Sequence, residues 1–186
     1  MAREQSGQTQ RGNVRRVAAP VTSRSAGILL LALLAASGCR PSAPAEVSVF
    51  FTRAEGNAFV VAEVRRAVPR GSPETLLRAA FEELLRGPTA EEQRDGLISA
   101  IPPGTTLRRL RIVDGVAEVD FSREFEAGGG SASMLGRFWQ VVYTGTQFPQ
   151  ARRVQILIDG ERREAMGGEG VVIEEPVGRP PTPPRF

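Results

Sequence analysis

The chain has 186 residues, with 24 basic and 21 acidic side chains, a formal net charge of +3, no histidine and a single cysteine, Cys39. These counts exclude Ser/His and Cys/His nucleophile pairs, imidazole or multi-thiolate metal sites and a disulfide framework, so carboxylates are what remains for acid/base work. The positive balance belongs to the leader: residues 1–38 hold Arg3, Arg11, Arg15, Arg16 and Arg24 against Glu4 alone, and without them 19 bases face 20 acids, a net charge of −1. Every cation is arginine, scattered singly or in pairs without a run that would track a phosphate backbone, so nucleic acid is not an expected partner.

From Ala26 to Gly38 thirteen residues carry no charge, with arginines before them and Ala36, Ser37 and Gly38 closing the run just ahead of Cys39. This is a signal-peptide pattern over residues 1–38. The run is shorter than the roughly 20 apolar residues a membrane span requires, and it breaks into the Pro-rich "RPSAPAE". Two readings of its end stand side by side. One is an ordinary Ala-Ser-Gly cleavage site that happens to precede a cysteine. In the other, "AASGC" resembles the bacterial lipobox, with Ala36 where a leucine is usual, and Cys39 is the lipidation site and first residue of the mature protein. A lone thiol in an exported chain fits the second reading. Each buried methylene contributes about 0.8 kcal/mol, so two acyl chains of palmitate type would hold the protein stably on a membrane. The polar residues 1–20 are longer than a signal needs, which points to an over-long start near Val21; Arg15-Arg16 as a twin-arginine signal is a weaker reading.

Residues 39–46 form a linker. "VSVFFT" (Val47 to Thr52) and "AFVVAEVRRAV" (Ala58 to Val68) are rich in β-branched and aromatic residues and flank the turn signal Glu55-Gly56-Asn57, which predicts two paired strands. Ser72-Pro73 supplies an N-cap and a first-turn proline, with Glu74 near the positive helix end. In the helix that follows, Leu76, Ala80, Leu84 and Leu77, Phe81, Leu85 make two adjacent apolar columns, while Arg78, Glu82, Glu83 and Arg86 face away and Gly87-Pro88 ends it. Thr89 and Glu92 have capping-box spacing for one further turn. In "LRRLRIVDGVAEVDFS", Asp114-Gly115 reads as a type I′ turn, which sets Val113 opposite Val116, Ile112 opposite Ala117, Arg111 opposite Glu118, Leu110 opposite Val119 and Arg109 opposite Asp120. A slip of one residue would lose both the charge pairs and the apolar face. A second helix starts at Ser131 or Ser133, carries Met134, Leu135, Phe138, Trp139, Val142 and Tyr143 on one wide apolar arc, and stops before Pro149; "RRVQILIDG" is a last strand. The order ββαββαβ predicts an α+β class, a single two-layer domain with both helices on one face of a mixed sheet of about five strands. The Gly/Pro-rich residues 164–186 read as a disordered tail.

Three segments taken together, "LLRGPTAEEQRDGLISAIPPGTTL", "VDGVAEVDFSREF" and "VVYTGTQFPQARRVQILIDG", resemble the GerMN domain, named for a bacterial sporulation and germination protein, and the likeness covers residues 47–163. The resemblance implies an exported, membrane-associated module, often borne by lipoproteins, with a compact fold like the ring-building motifs of secretion and sporulation channels. It brings no catalytic residues to carry over. The sporulation protein looks to have two copies of the domain where this chain has one.

Three sets of residues could carry chemistry. Asp120, Glu124 and Glu126 lie close in sequence and could in principle serve a carboxylate-dependent cell-wall hydrolase; Asp120, set opposite Arg109 on a solvated face, reads instead as structural. "GGGSAS" could hold an anion on free amides before the second helix, or be a flexible loop. Trp139 could stack on a sugar but lies on the helix's apolar arc. The resulting expectation is a non-catalytic scaffold or interaction module in a cell-envelope assembly, lipid-anchored outside the cytoplasm, with no cofactor and no metal. It would touch envelope proteins or its own copies through the open sheet face or edge strands. A peptidoglycan- or small-ligand-binding module is the alternative.

Overall fold

The computed structural model describes residues 43–167 and 170–186. The expected signal peptide, Cys39 and half of the expected linker, residues 39–42, lie outside the described residues. In chain order the elements are β1 (Ala45–Glu55), β2 (Ala58–Val68), α1 (Pro73–Arg86), α2 (Ala90–Arg94), β3 (Leu97–Ile98), β4 (Leu107–Val113), β5 (Val116–Phe121), a 3-10 turn (Arg123–Glu126), α3 (Ser131–Gly145), β6 (Arg153–Ile158), β7 (Glu161–Arg162), β8 (Ala165–Met166) and β9 (Val171–Val172). The long elements keep the order ββαββαβ and the class is α+β.

Local chemistry accounts for the elements. Ser72 Oγ accepts the Thr75 N–H at 3.2 Å to start α1, and Gly87, at φ 83°, ends it. Leu77, Ala80, Phe81 and Leu84 are buried, each side chain contributing roughly 1–3 kcal/mol by removal from water. The capping box at α2 is complete: Thr89 Oγ1 accepts from Glu92 N, and Glu92 Oε2 accepts from Thr89 N. Asp114 (φ 50°) and Gly115 (φ 79°) supply the two left-handed residues of the hairpin turn, and all five pairings set by that turn are present.

In place of one sheet of about five strands there are three ladders: β2-β1-β3, β4-β5-β6-β7 and the small β8-β9. The reason lies in side chains. The inner edge of β1 is hydrogen-bonded by the end of α3 and the turn that follows it: Phe50 N donates to Thr144 Oγ1 (3.2 Å) on the helix, while Ser48 N donates to Gln147 Oε1 (2.9 Å) and Gln147 Nε2 donates to Ser48 O (2.9 Å) just beyond it. The outer edge of β4 is met by α1, as Ile112 N donates to Glu74 Oε2 (3.0 Å) and Arg78 Nη2 donates to Leu110 O (3.3 Å). Both edges are thereby closed to joining into one sheet. β5 pairs antiparallel with β4 and parallel with β6, with α3 lying in the connection between β5 and β6. One core joins both large ladders: Val49 and Phe51 from β1, Leu77, Phe81 and Leu84 from α1, Val119 and Phe121 from β5, Val141 and Val142 from α3, and Ile156 and Ile158 from β6.

The C-terminal residues correct the expectation of a disordered tail. Met166 and Ile173 are buried, Gln155 Nε2 donates to Ile173 O at 2.9 Å, and Val177 bridges Val154 on β6 through reciprocal 2.8 Å hydrogen bonds. The tail then reaches β2, where Phe59 N donates to Phe186 O (2.7 Å) and Phe186 N donates to Phe59 O (3.1 Å). Composition alone pointed the other way, because the seat of these residues is built by distant strands.

Candidate functional site

The three carboxylates are drawn apart. Asp120 sits on β5, the strand between β4 and β6, and is 5 % exposed, so its expected place on a solvated face is corrected. A bulge between Leu107 and Arg109 puts Arg108 and Arg109 together opposite Asp120. The ion partner is therefore Arg108, whose Nε lies 3.8 Å from Asp120 Oδ2 while its Nη1 lies 2.6 Å from Asp159 Oδ1. Asp120 Oδ1 accepts the Gly160 N–H at 2.7 Å, fastening the turn after β6. Glu124 is exposed, and a hydrogen bond from Ser122 holds its carboxyl below the usual range. Glu126 accepts from Gly167 N at 3.4 Å. Among the described residues no cluster of three Asp, Glu, His or Cys side chains is arranged to hold a metal ion. The cross-strand pair Arg111–Glu118 forms at 2.7 Å with Arg111 half exposed, which makes it a solvated pair.

The glycine loop encloses a cation of the protein itself. Arg137, on α3, is 1 % exposed; Nη1 donates to Phe125 O (2.6 Å) and Ala127 O (3.3 Å), and Nη2 donates to Gly128 O (2.9 Å) and Ser133 Oγ (3.1 Å). A Cβ at Gly129 would lie 2.8 Å from Nη2, so the loop can wrap the guanidinium only with glycine there. Burial lowers the pKa of Arg137, yet the surrounding carbonyl oxygens suit the charged form. Trp139 is half-buried against the core, edge-on to Phe138 (4.8 Å between ring centroids) and to Tyr143 (6.3 Å). Its geometry is that of a packing residue.

What remains is a surface question: which strand edges are open. β1's inner edge and β4's outer edge are closed by side chains on or just after helices, β3 and β7 are two residues long, and the tail lies against β6. β2 differs. The two-residue turn makes Glu55 and Ala58 a bonded pair, so even-numbered residues of β2 bond to β1 while Phe59, Val61, Glu63, Arg65 and Ala67 point outward. Among the described residues no strand of a ladder pairs with that outward side, and the only bridge on it is Val60–Arg185. On the other side of β2, Arg66 donates to both oxygens of Glu92 (2.6 and 2.7 Å), with Glu83 Oε2 at 3.7 Å from its Nε. This hydrogen bonding lowers the pKa of Glu92 to about 2 and raises that of Arg66.

Sequence reasoning missed Arg137, Thr144, Gln147 and Arg179. Arg137 was visible as one charge beside the apolar arc of α3, three residues from Met134. The other three act on partners far along the chain, which local periodicity does not reveal.

The family model described as sporulation and spore germination, named Germane, matches residues 48–164. The tandem GerMN domains of the sporulation protein GerM from Bacillus subtilis are similar in structure, with a TM-score of 0.57 at 21% identity over 74% of this chain and 46% of that one. The chain thus spans about half the length of the tandem structure. The first GerMN domain of the same protein gives 0.56 at 25% identity over 73% of this chain and 98% of that one. A candidate lipoprotein from Clostridium perfringens gives 0.53 at 22% identity over 74% and 89%. Among curated proteins no match was found. With more than half of its residues in the family match, the chain belongs to the Germane family of sporulation and spore germination and carries one GerMN domain.

Proposed function

We infer that the protein is an exported lipoprotein, tethered through Cys39 to the outer face of the cytoplasmic membrane or to another envelope layer, whose GerMN domain is a non-catalytic interaction module in a sporulation- or germination-type assembly. The observation that carries the reading is the contrast between dispersed carboxylates and an available strand edge: Asp120, Glu124 and Glu126 each serve a separate local contact, whereas β2 offers its outward side from Glu63 to Ala67. Such an edge supports pairing with an added strand, in which main-chain hydrogen bonds give affinity and alternate side chains give selectivity. The similarity to a candidate lipoprotein fits the tether, and the uncharged run ending at Cys39 supplies it.

The test is membrane fractionation with intact-mass analysis of the native host protein. A membrane-bound chain beginning at Cys39 with the mass of two or three acyl groups is expected, and Cys39→Ala should release it. A Cys39→Ala protein that stays membrane-bound would contradict the tether; partners cross-linked to β2 in the wild type and lost with Glu63→Arg would support the edge.

A further inference from the structure

The seat of the C-terminal segment has the parts of a peptide-binding site. At one end the Arg179 guanidinium lies 4.9 Å from the centroids of both the Phe50 and Tyr143 rings, and donates to Tyr143 O and to Thr146 Oγ1 (2.9 Å). At the other end Arg185 donates to Glu55 Oε2 and Glu55 O, both at 3.1 Å, and the Phe186 ring stacks on Phe59 at 6.4 Å while their backbones exchange two hydrogen bonds. Gly136 makes room: a Cβ there would lie 2.8 Å from the Ala100 Cβ and 3.4 Å from the Phe186 ring. Beside that ring a groove of about 250 Å³ remains, lined by Thr52, Ile98, Ala100 and Gly136 among others.

Between the anchors run Pro180, Pro181, Thr182, Pro183 and Pro184. Four of these five have no N–H, so the stretch cannot donate along an edge ladder and favours an extended, stiff conformation at about 3.1 Å per residue. Beyond the Val177–Val154 bridge, the Arg179–Phe186 segment is therefore held at its two ends by contacts that do not depend on which chain it belongs to.

We propose that this seat, the outward edge of β2 at Phe59–Val60 with the Phe50–Tyr143 ring pair, is an interaction surface for the Arg179–Phe186 segment of a second copy of the chain, so that neighbouring copies exchange tails. The occupant follows from the contacts: the chain's own segment satisfies both anchors at their spacing. Exchange remakes the contacts of Arg179 to Phe186 on another copy and changes the loop closure, a low-cost route to self-association. A short tether gives the cis tail an effective concentration on the order of millimolar, so dilute protein is mostly unexchanged and copies crowded on a surface exchange readily. The inference deepens the interaction-module reading and rests on it for the crowding.

The experiment uses the full chain with Cys39→Ala, leaving no native thiol. A receiver carries Val60→Cys with Phe186→Ala to loosen its own tail; a donor with a different tag carries Arg185→Cys. Val60 and Arg185 are bridge partners, within the Cα separation a disulfide spans. Circular dichroism confirms that each variant is folded. After mild oxidation of the mixture at a protein concentration matching the cis tail's effective concentration, on the order of millimolar, a donor–receiver disulfide is expected at least tenfold faster than for a receiver bearing Val172→Cys instead, a site 64 % exposed and not among the seat residues. A synthetic peptide of residues 177–186 should suppress it. Linking no faster than in the Val172 control, or unaffected by the peptide, would overturn exchange. Because these variants lack Cys39, that failure leaves the lipid tether standing, whereas a failed tether would remove the crowding on the membrane without touching the exchange read in solution.

Discussion

On its inner side the β1–β2 ribbon hands Phe50 to Thr144 on α3 and Ser48 to Gln147 in the turn just after it, which return matching donors and acceptors from a helix packed into the core and from its end. On its outer side the same ribbon offers Phe59 to a proline-rich tail and leaves Glu63 to Ala67 facing outward. Two edges of one ribbon are thus closed by different means. Side chains on and just after a core helix close an edge permanently, because opening it would expose the core as well; the Arg179–Phe186 segment closes an edge reversibly, because its contacts are local to its two ends.

The largest losses are expected at and just after α3. Arg137→Met should destabilise the domain by about 3–5 kcal/mol in denaturant unfolding, since it leaves the carbonyls of Phe125, Ala127 and Gly128 buried or half-buried without their donor. A loss below about 1 kcal/mol would show that the loop does not depend on it. Thr144→Val with Gln147→Leu should lower stability by about 2–4 kcal/mol, as the Ser48 and Phe50 amides lose their acceptors.

The Glu92–Arg66 pair sharpens the picture at the neighbouring face of β2. Glu92 has its folded pKa lowered to about 2, so its contribution is complete above its unfolded value near 4.5 and is lost as pH falls from there towards 2. Glu92→Gln should remove roughly 1–3 kcal/mol at pH 7 and flatten the stability profile in that acid window. An unchanged profile would mean the pair is screened. The smallest effect belongs to the tail: Phe186→Ala should shift global stability by less than about 1 kcal/mol while raising hydrogen exchange at Phe59.

Elements whose cause is local were legible in the sequence. Ser72-Pro73, Thr89 with Glu92 and Asp114-Gly115 fix their caps and turn by short-range chemistry, and the hairpin register followed from its charge and apolar patterns. What needed the structure was long-range. The bulge at Arg108, which redirects the partner of Asp120, leaves no mark on the alternation of "LRRLRIV". The split into separate ladders depends on Thr144 and Gln147 reaching a strand almost a hundred residues earlier. The tail's order comes from Phe59, Tyr143 and Val154, none of them near it in sequence. The expected lipidation site, Cys39, lies outside the described residues.

Residue-resolved hydrogen exchange on the full chain tests the contrast between the two edges most directly. Strong protection of the Ser48 and Phe50 amides, intermediate protection at Phe59 and rapid exchange at Glu63, Arg65 and Ala67 are expected. Protection of Glu63 to Ala67 equal to that of Ser48 and Phe50 in dilute monomer would contradict it.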